Sequence, residues 1–125
     1  MISIKHQRVC FMLAAIVVLF AVAASVGKAE MRFDSAVWKN DELTQSSEYP
    51  RIKMIDDLIA RYDLNGMPKE KIDELLGVPP LTEYFKGYDY VYWLGPERGF
   101  MGIDSEWLCI KFDNGKVSEA KVLSD

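Results

Sequence analysis

Residues 61–79 read RYDLNGMPKEKIDELLGVP, and this stretch decides the fold. It holds the end of one helix, a glycine turn, a short second helix and a glycine-proline stop. Leu64, Met67, Ile72, Leu75 and Leu76 supply apolar contacts, while Gly66 and Gly77 enter left-handed conformations without steric cost. The second helix, 68–76, is well short of the roughly 12 residues that make an isolated helix even marginal. Its apolar residues must therefore pack against something larger.

Working outward toward the N-terminus, the spacing predicts a first helix beginning near Ser47 as cap, with Glu48 at the positive end of the helix dipole and Pro50 in the first turn. Ile52, Ile55, Leu58, Ile59 and Tyr62 form its apolar stripe, with Arg51, Lys53, Asp56 and Asp57 on the opposite side. Asp57 and Arg61 make a favourable pair one turn apart. Residues 30–46 show no sustained period. Phe33, Val37 and Trp38 are nevertheless too apolar for a free tail, so this N-terminal arm is expected to lie across the domain.

Toward the C-terminus, Pro79 and Pro80 forbid helix continuation and residues 81–87 read as a loop. Residues 88–94 are rich in aromatic and β-branched residues and predict a strand ended by Gly95-Pro96. A long connection, 96–105, leads to a second strand, 106–112, with Leu108, Ile110 and Phe112 on one face and Trp107, Cys109 and Lys111 on the other. The turn Asp113-Asn114-Gly115 allows two registers. A two-residue turn pairs Phe112 with Val117 and puts Glu119 opposite Ile110, whereas a three-residue loop pairs Phe112 with Lys116 and gives Ser118, Ala120 and Val122 to the core face. The second buries better and is the expected one, with Val117, Glu119 and Lys121 outward. The fold class that follows is α+β, two helices packed on one face of a three-stranded antiparallel sheet over residues 47–125.

In residues 1–29, Lys5 and Arg8 precede an apolar run, 9–27, interrupted only by Ser25. Basic start, apolar middle and a small-residue exit ending in Gly27 and Ala29 form the pattern of a secretory signal peptide cut after Ala29. The alternative is an uncleaved N-terminal membrane anchor, since nineteen residues at about 1.5 Å each nearly cross a hydrocarbon core. Both readings export the rest of the chain to the periplasm, free or anchored to the inner membrane, because the basic residues flank the N-terminal end of the run. Membrane contact is expected only through this segment. Residues 30–125 carry all nineteen acidic residues and twelve of the fifteen basic ones, all but Lys5, Arg8 and Lys28, for a formal charge of −7. That balance repels phosphate backbones and excludes nucleic acid as an expected partner. Cys109 is the only cysteine beyond Cys10, so an internal disulfide is not expected after cleavage.

The order of signals, RYDLNGMPKEKIDELLGVP, then YDYVYWLG, then WLCIKFDNGKV, resembles the SmpA/OmlA domain, the fold of the small lipoprotein of the outer-membrane β-barrel assembly machinery, and more broadly the units of β-lactamase inhibitory protein. The residues that carry the resemblance are Leu64, Gly66, Met67, Leu75, Leu76, Gly77, Pro79, Tyr92, Leu94, Gly95, Phe112, Asp113, Gly115 and Val117, within residues 47–123. It implies the same helix-on-sheet fold and a role in protein contact within the envelope, without catalysis. The chain departs from that family in lacking a lipid-bearing cysteine after the apolar run, and in having Pro68 where a capping Ser or Thr is frequent.

Catalytic chemistry finds little to work with. His6 is the only histidine and precedes the expected cut, which leaves no Ser-His or Cys-His pair and no histidine-cysteine zinc set. Asp56 and Asp57 are adjacent, but about 100° apart on a helix. Asp63, Asn65 and Glu74 fall at positions one, three and twelve of a calcium loop, yet Met67 and Pro68 occupy positions that need an oxygen ligand and a glycine; Asp63 and Asn65 are expected to bond the turn backbone instead. No cofactor or metal is expected. The aromatic residues hold the functional promise. If Tyr90, Tyr92 and Leu94 face the helices, Val91 and Trp93 lie on the outer face beside Trp107, and with Trp38 of the arm they make a candidate interaction patch. The expected function is an exported, non-enzymatic protein-binding module that contacts an envelope protein through this face and the 96–105 loop. A small-molecule or lipid-binding periplasmic domain with a pocket between arm and sheet is the alternative.

Overall fold

The computed structural model describes residues 30–99 and 101–125. The signal or anchor segment 1–29, with its cleavage position, His6 and Cys10, lies outside the described residues. Four helices and three strands follow one another: α1 Ser35–Trp38, α2 Asp41–Thr44, α3 Pro50–Arg61, α4 Lys69–Leu76, β1 Tyr90–Pro96, β2 Ser105–Asp113 and β3 Lys116–Ser124. The strands form one antiparallel sheet in the order β1-β2-β3. Helices α3 and α4 pack on one face of it. Ile55, Leu58, Ile72, Leu75 and Leu76 share a single buried cluster with Tyr92, Leu94, Leu108 and Ile110. The α+β architecture read from the sequence is therefore the one observed.

The arm is more ordered than its lack of period suggested. Asp34 caps α1 by accepting hydrogen bonds from the Ala36 and Val37 amides, and Asn40 caps α2 by accepting from Leu43. Each helix is a single turn, too short for periodicity to register. Side-chain capping and docking hold them instead: Asp57 accepts from the Phe33 amide at 2.6 Å, and Ser35 Oγ donates to the Leu75 carbonyl at 2.6 Å.

Helix α3 departs from expectation at its start and in its stripe. Its N-cap is Tyr49, in a left-handed conformation (φ 44°) and without a capping side chain, so Ser47 does not cap it; Glu48 instead pairs with Lys53. Arg51, expected in solvent, is buried, and Ile59, expected in the core, is half exposed. The buried stripe is Arg51, Met54, Ile55 and Leu58, rotated by about one residue from the expected one. The rotation is anchored by Arg51, whose Nε donates to the Trp38 carbonyl and Nη1 to the Trp93 carbonyl. A guanidinium on a long aliphatic stem can join an apolar stripe when its donors find carbonyls.

Gly66 (φ 82°) and Gly77 (φ 73°) take the positive φ expected of them, although Gly77, with ψ 170°, is extended rather than turned. The 66–69 turn is not closed by Asp63 or Asn65. Its backbone pairs with β3: Gly66 donates to Val117, Val117 donates to Met67, and Lys69 donates to Gly115. The helix connection thus covers the first residues of an edge strand.

The hairpin combines the two registers weighed from the sequence. Asp113 pairs with Lys116 and Phe112 with Val117 around a two-residue Asn114-Gly115 turn, both turn residues having positive φ (51° and 73°). The three-residue loop is thus not formed. A bulge between Lys111 and Phe112 then resets the register, so that Ile110 pairs with Ala120 and Leu108 with Val122, while Glu119 faces out opposite Lys111. Val117, expected outward, is buried, and Ser118, expected inward, is exposed as the extra residue. The bulge lets the preferred turn coexist with the preferred core.

Candidate functional site

Strand β1 sends Tyr90, Tyr92 and Leu94 to the helix side, and their hydroxyls and packing fix it there. Tyr92 donates to the Gly77 carbonyl at 2.6 Å and Tyr90 to Asp73 at 2.5 Å. Burial pushes the pKa of both phenols up, so both remain donors at any physiological pH. Val91 and Trp93 consequently face away from the helices, with Trp93 directly opposite Trp107 of β2 and Val91 opposite Cys109. Val91 is buried, whereas Trp93 and Trp107 are half-buried.

Trp38 does not join them. It is 0% exposed, in the core on the helix side, with its ring 5.9 Å from both Phe33 and Tyr92 and under the Arg51 guanidinium at 5.2 Å. The Asp34 cap turns it inward, and its indole N–H is left without a partner among the described residues. It belongs to the structural core and is removed from the candidate patch.

Three other aromatic residues replace it, and none was singled out from the sequence. Tyr49 meets Trp93 edge-on at 5.9 Å; Phe85 meets Trp107 at 6.3 Å, and Tyr84 stacks on Trp107 at 5.0 Å. Tyr49 and Phe85 are two of the three non-glycine residues with positive φ among the described residues (44° and 54°). Bulky side chains in that conformation cost of order 1 kcal/mol or more each, and such strain gathers where surrounding structure demands a particular placement. Here both strained residues press a ring against one of the paired tryptophans. Trp107 is held further by its Nε1, which donates to Asp125 at 3.1 Å.

Beside the two tryptophans runs a cleft of about 380 Å³. Val91, Trp93 and Trp107 line one side, Pro80, Leu81 and Thr82 another, and Asp41, Thr44, Gln45 and Arg51 the third. Leu81 projects fully into solvent. A neighbouring gap of about 400 Å³ separates the 78–88 loop from Tyr90 and Val91 and shares Leu81 with the cleft. Arg51 is the one basic residue in the cleft wall; burial lowers its pKa, partly offset by Asp41 and Tyr92.

The 97–104 connection is fastened at its start. Arg98 donates to Glu106 through Nε and Nη2 and to Asp56 through Nη1, all within 3.1 Å. Met101 and Ile103 remain largely exposed.

The other singled-out groups have structural partners. Asp56 holds Arg98, and Asp57 accepts from Phe33 and Arg61. Glu74 pairs with Lys71. Among the described residues, no three His, Cys, Asp or Glu side chains lie together in a way that could hold a metal ion. Cys109 is fully buried, and desolvation pushes its thiol up to about 11. Among the described residues, no helix is long and apolar enough to cross a membrane.

No protein-family model matches the chain, and no curated protein matches it significantly.

Proposed function

We propose that residues 47–125, with the docked arm, form an exported, non-enzymatic protein-binding module of the bacterial envelope, and that its contact surface is the outer sheet face around Val91, Trp93 and Trp107. One observation carries the reading. The sheet keeps a directly paired, half-buried Trp93 and Trp107 beside an open cleft, each braced by a strained aromatic neighbour. Rigid aromatic anchors at the centre of a recessed surface are the residues that dominate protein interfaces. Met101 and Ile103 of the 97–104 loop are also exposed.

The compartment follows from the signal-like segment 1–29, and the role in outer-membrane assembly or maintenance from the resemblance to the SmpA/OmlA domain. The formal charge of −7 over residues 30–125 favours a protein surface over nucleic acid as partner.

The test is crosslinking in living cells, with a photoreactive residue replacing Trp93 or Trp107 in the full chain and a control at Ile59, on the far side of α3. A discrete adduct of one envelope protein from positions 93 and 107, and none from 59, is the expected result. No adduct from either tryptophan position would refute the reading.

The cleft itself favours a second reading. It lies between arm residues Asp41, Thr44 and Gln45 and the sheet, and about 380 Å³ is large enough for a small metabolite or part of a lipid. Native mass spectrometry of the purified chain decides: a bound mass of a few hundred daltons, lost on Trp93→Ala, supports the ligand-binding domain.

A further inference from the structure

Strand β1 is an edge strand, with β2 on one side only. In an antiparallel pair the backbone N–H and C=O of each residue point to the same side, and that side alternates along the strand. The Trp93 carbonyl accepts from Arg51, away from β2, so the backbone groups of Val91, two residues earlier, also point to the open side. Among the described residues, no hydrogen bond from another segment reaches the Val91 N–H, the Val91 C=O or the Trp93 N–H on that side. The cleft runs along this stretch, because Val91 and Trp93 form its floor. Beyond it the edge is closed, since the start of α3 packs so tightly on Gly95 that an added Cβ would lie 3.3 Å from Tyr49. An unpaired stretch of about three residues, roughly 10 Å of strand, therefore faces a cleft flanked by Leu81 on one side and Arg51 on the other.

Arg51 supplies the second observation. It is 8% exposed, yet no carboxylate lies within ion-pair distance among the described residues. Two of its nitrogens are used on the carbonyls of Trp38 and Trp93, and Nη2 has no hydrogen-bond partner among the described residues. Asp41 is its nearest acidic influence and sits on the same cleft wall without contacting it. Trp38 Nε1 is the one buried side-chain nitrogen or oxygen without a partner among the described residues, so Arg51 Nη2 reaches solvent, where an acceptor from outside can complete it.

We infer that the open edge of β1 receives an extended segment of the partner polypeptide as a fourth strand, with a carboxylate of that segment on Arg51 and an apolar side chain between Leu81 and Trp93. The inference rests on the protein-binding reading above and gives its partner a chemistry: an extended peptide carrying one acidic residue flanked, at alternate positions, by apolar ones. Main-chain bonds to Val91 and Trp93 would supply affinity, and Arg51 and the aromatic floor would select the sequence. A planar guanidinium with a free edge suits a carboxylate better than any neutral acceptor.

The probe is a displayed library of random nonapeptides, panned against the full chain. Selected peptides are expected to share an Asp or Glu with apolar residues at alternate positions. Converting that acid to its amide should weaken binding about tenfold, the loss expected for one charge-assisted hydrogen bond. Leu81→Asp, at a side chain wholly in solvent, should weaken binding by a similar factor with an unchanged unfolding midpoint, and Asp41→Asn should strengthen it. The Val91 and Trp93 amide protons should become protected from exchange on binding. Failure to enrich any acidic peptide, or binders that leave those two amides unchanged, would overturn strand addition. The cellular adduct from position 93 or 107 judges the protein-binding reading separately, so the two can fail independently.

Discussion

On the helix side of the sheet Tyr92, Leu94, Leu108 and Ile110 are each at most 1% exposed, sealed by α3, α4 and the docked arm. On the opposite side Trp93 and Trp107 stay half-buried, although they are larger and directly paired. The difference lies in what covers each face. Helices with long buried stripes close the first, whereas the second is covered only in part: Val91 and Cys109 are buried there, Tyr49, Tyr84 and Phe85 brace the tryptophans, and a cleft stays open beside Trp93 and Trp107. A tryptophan's duty is thus set by its cover, as Trp38 and Trp93 demonstrate within one small domain.

The contrast can be broken most directly by truncation. Trp38→Ala should cost about 3–5 kcal/mol, as expected for deleting a fully buried aromatic residue, measured by urea unfolding. Trp38→Phe should cost far less, because it keeps most of the packing and removes an indole N–H that has no partner among the described residues. Gly95→Val comes next, at about 1–3 kcal/mol, since φ is 150° there and a Cβ would crowd Tyr49 and Ile52. Trp93→Ala should cost only about 1–2 kcal/mol, in keeping with partial burial, while abolishing the cellular crosslinks formed through position 107.

Smaller effects sharpen the same picture. The Phe33 amide and then Arg61 hold the Asp57 pKa below the usual carboxylate value. A carboxylate with a depressed folded-state pKa stabilises the fold above its unfolded value, and that contribution disappears as the pH falls through the folded value. Acidification below about pH 4 should therefore loosen the arm, visible as a change in Trp38 fluorescence, and Asp57→Asn should flatten that response. Cys109, with its thiol pushed up to about 11, should react with a thiol-specific reagent at pH 8 only after unfolding.

Much of this architecture was legible in the sequence because it rests on local signals. Gly66 and Gly77 mark the helix pair, alternation of Leu108 and Ile110 marks β2, and Asp113-Asn114-Gly115 marks the hairpin. The misread positions depend on contacts distant in the chain. Arg51 joins the core because carbonyls of residues 38 and 93 await it, and spacing alone held a hint, since positions 51, 54, 55 and 58 form a helical stripe once a cation is admitted to it. Trp38 turned inward through a one-turn helix that no periodicity reveals. The hairpin bulge reconciled two registers that the pattern presented as exclusive. At the candidate site, Val91, Trp93 and Trp107 were read from alternation, while Tyr49, Leu81 and Phe85 reach them from separate loops and left no common signal.

Thermal unfolding of Trp38→Ala beside Trp93→Ala is the most direct test of the claim that the two faces do different work. The expected midpoint is lowered by roughly 15 °C or more for Trp38→Ala, at the 4–8 °C per kcal/mol expected for a domain of this size, and by less than about half of that for Trp93→Ala. Equal losses, or the larger loss at Trp93, would show that the outer face is core and contradict that claim.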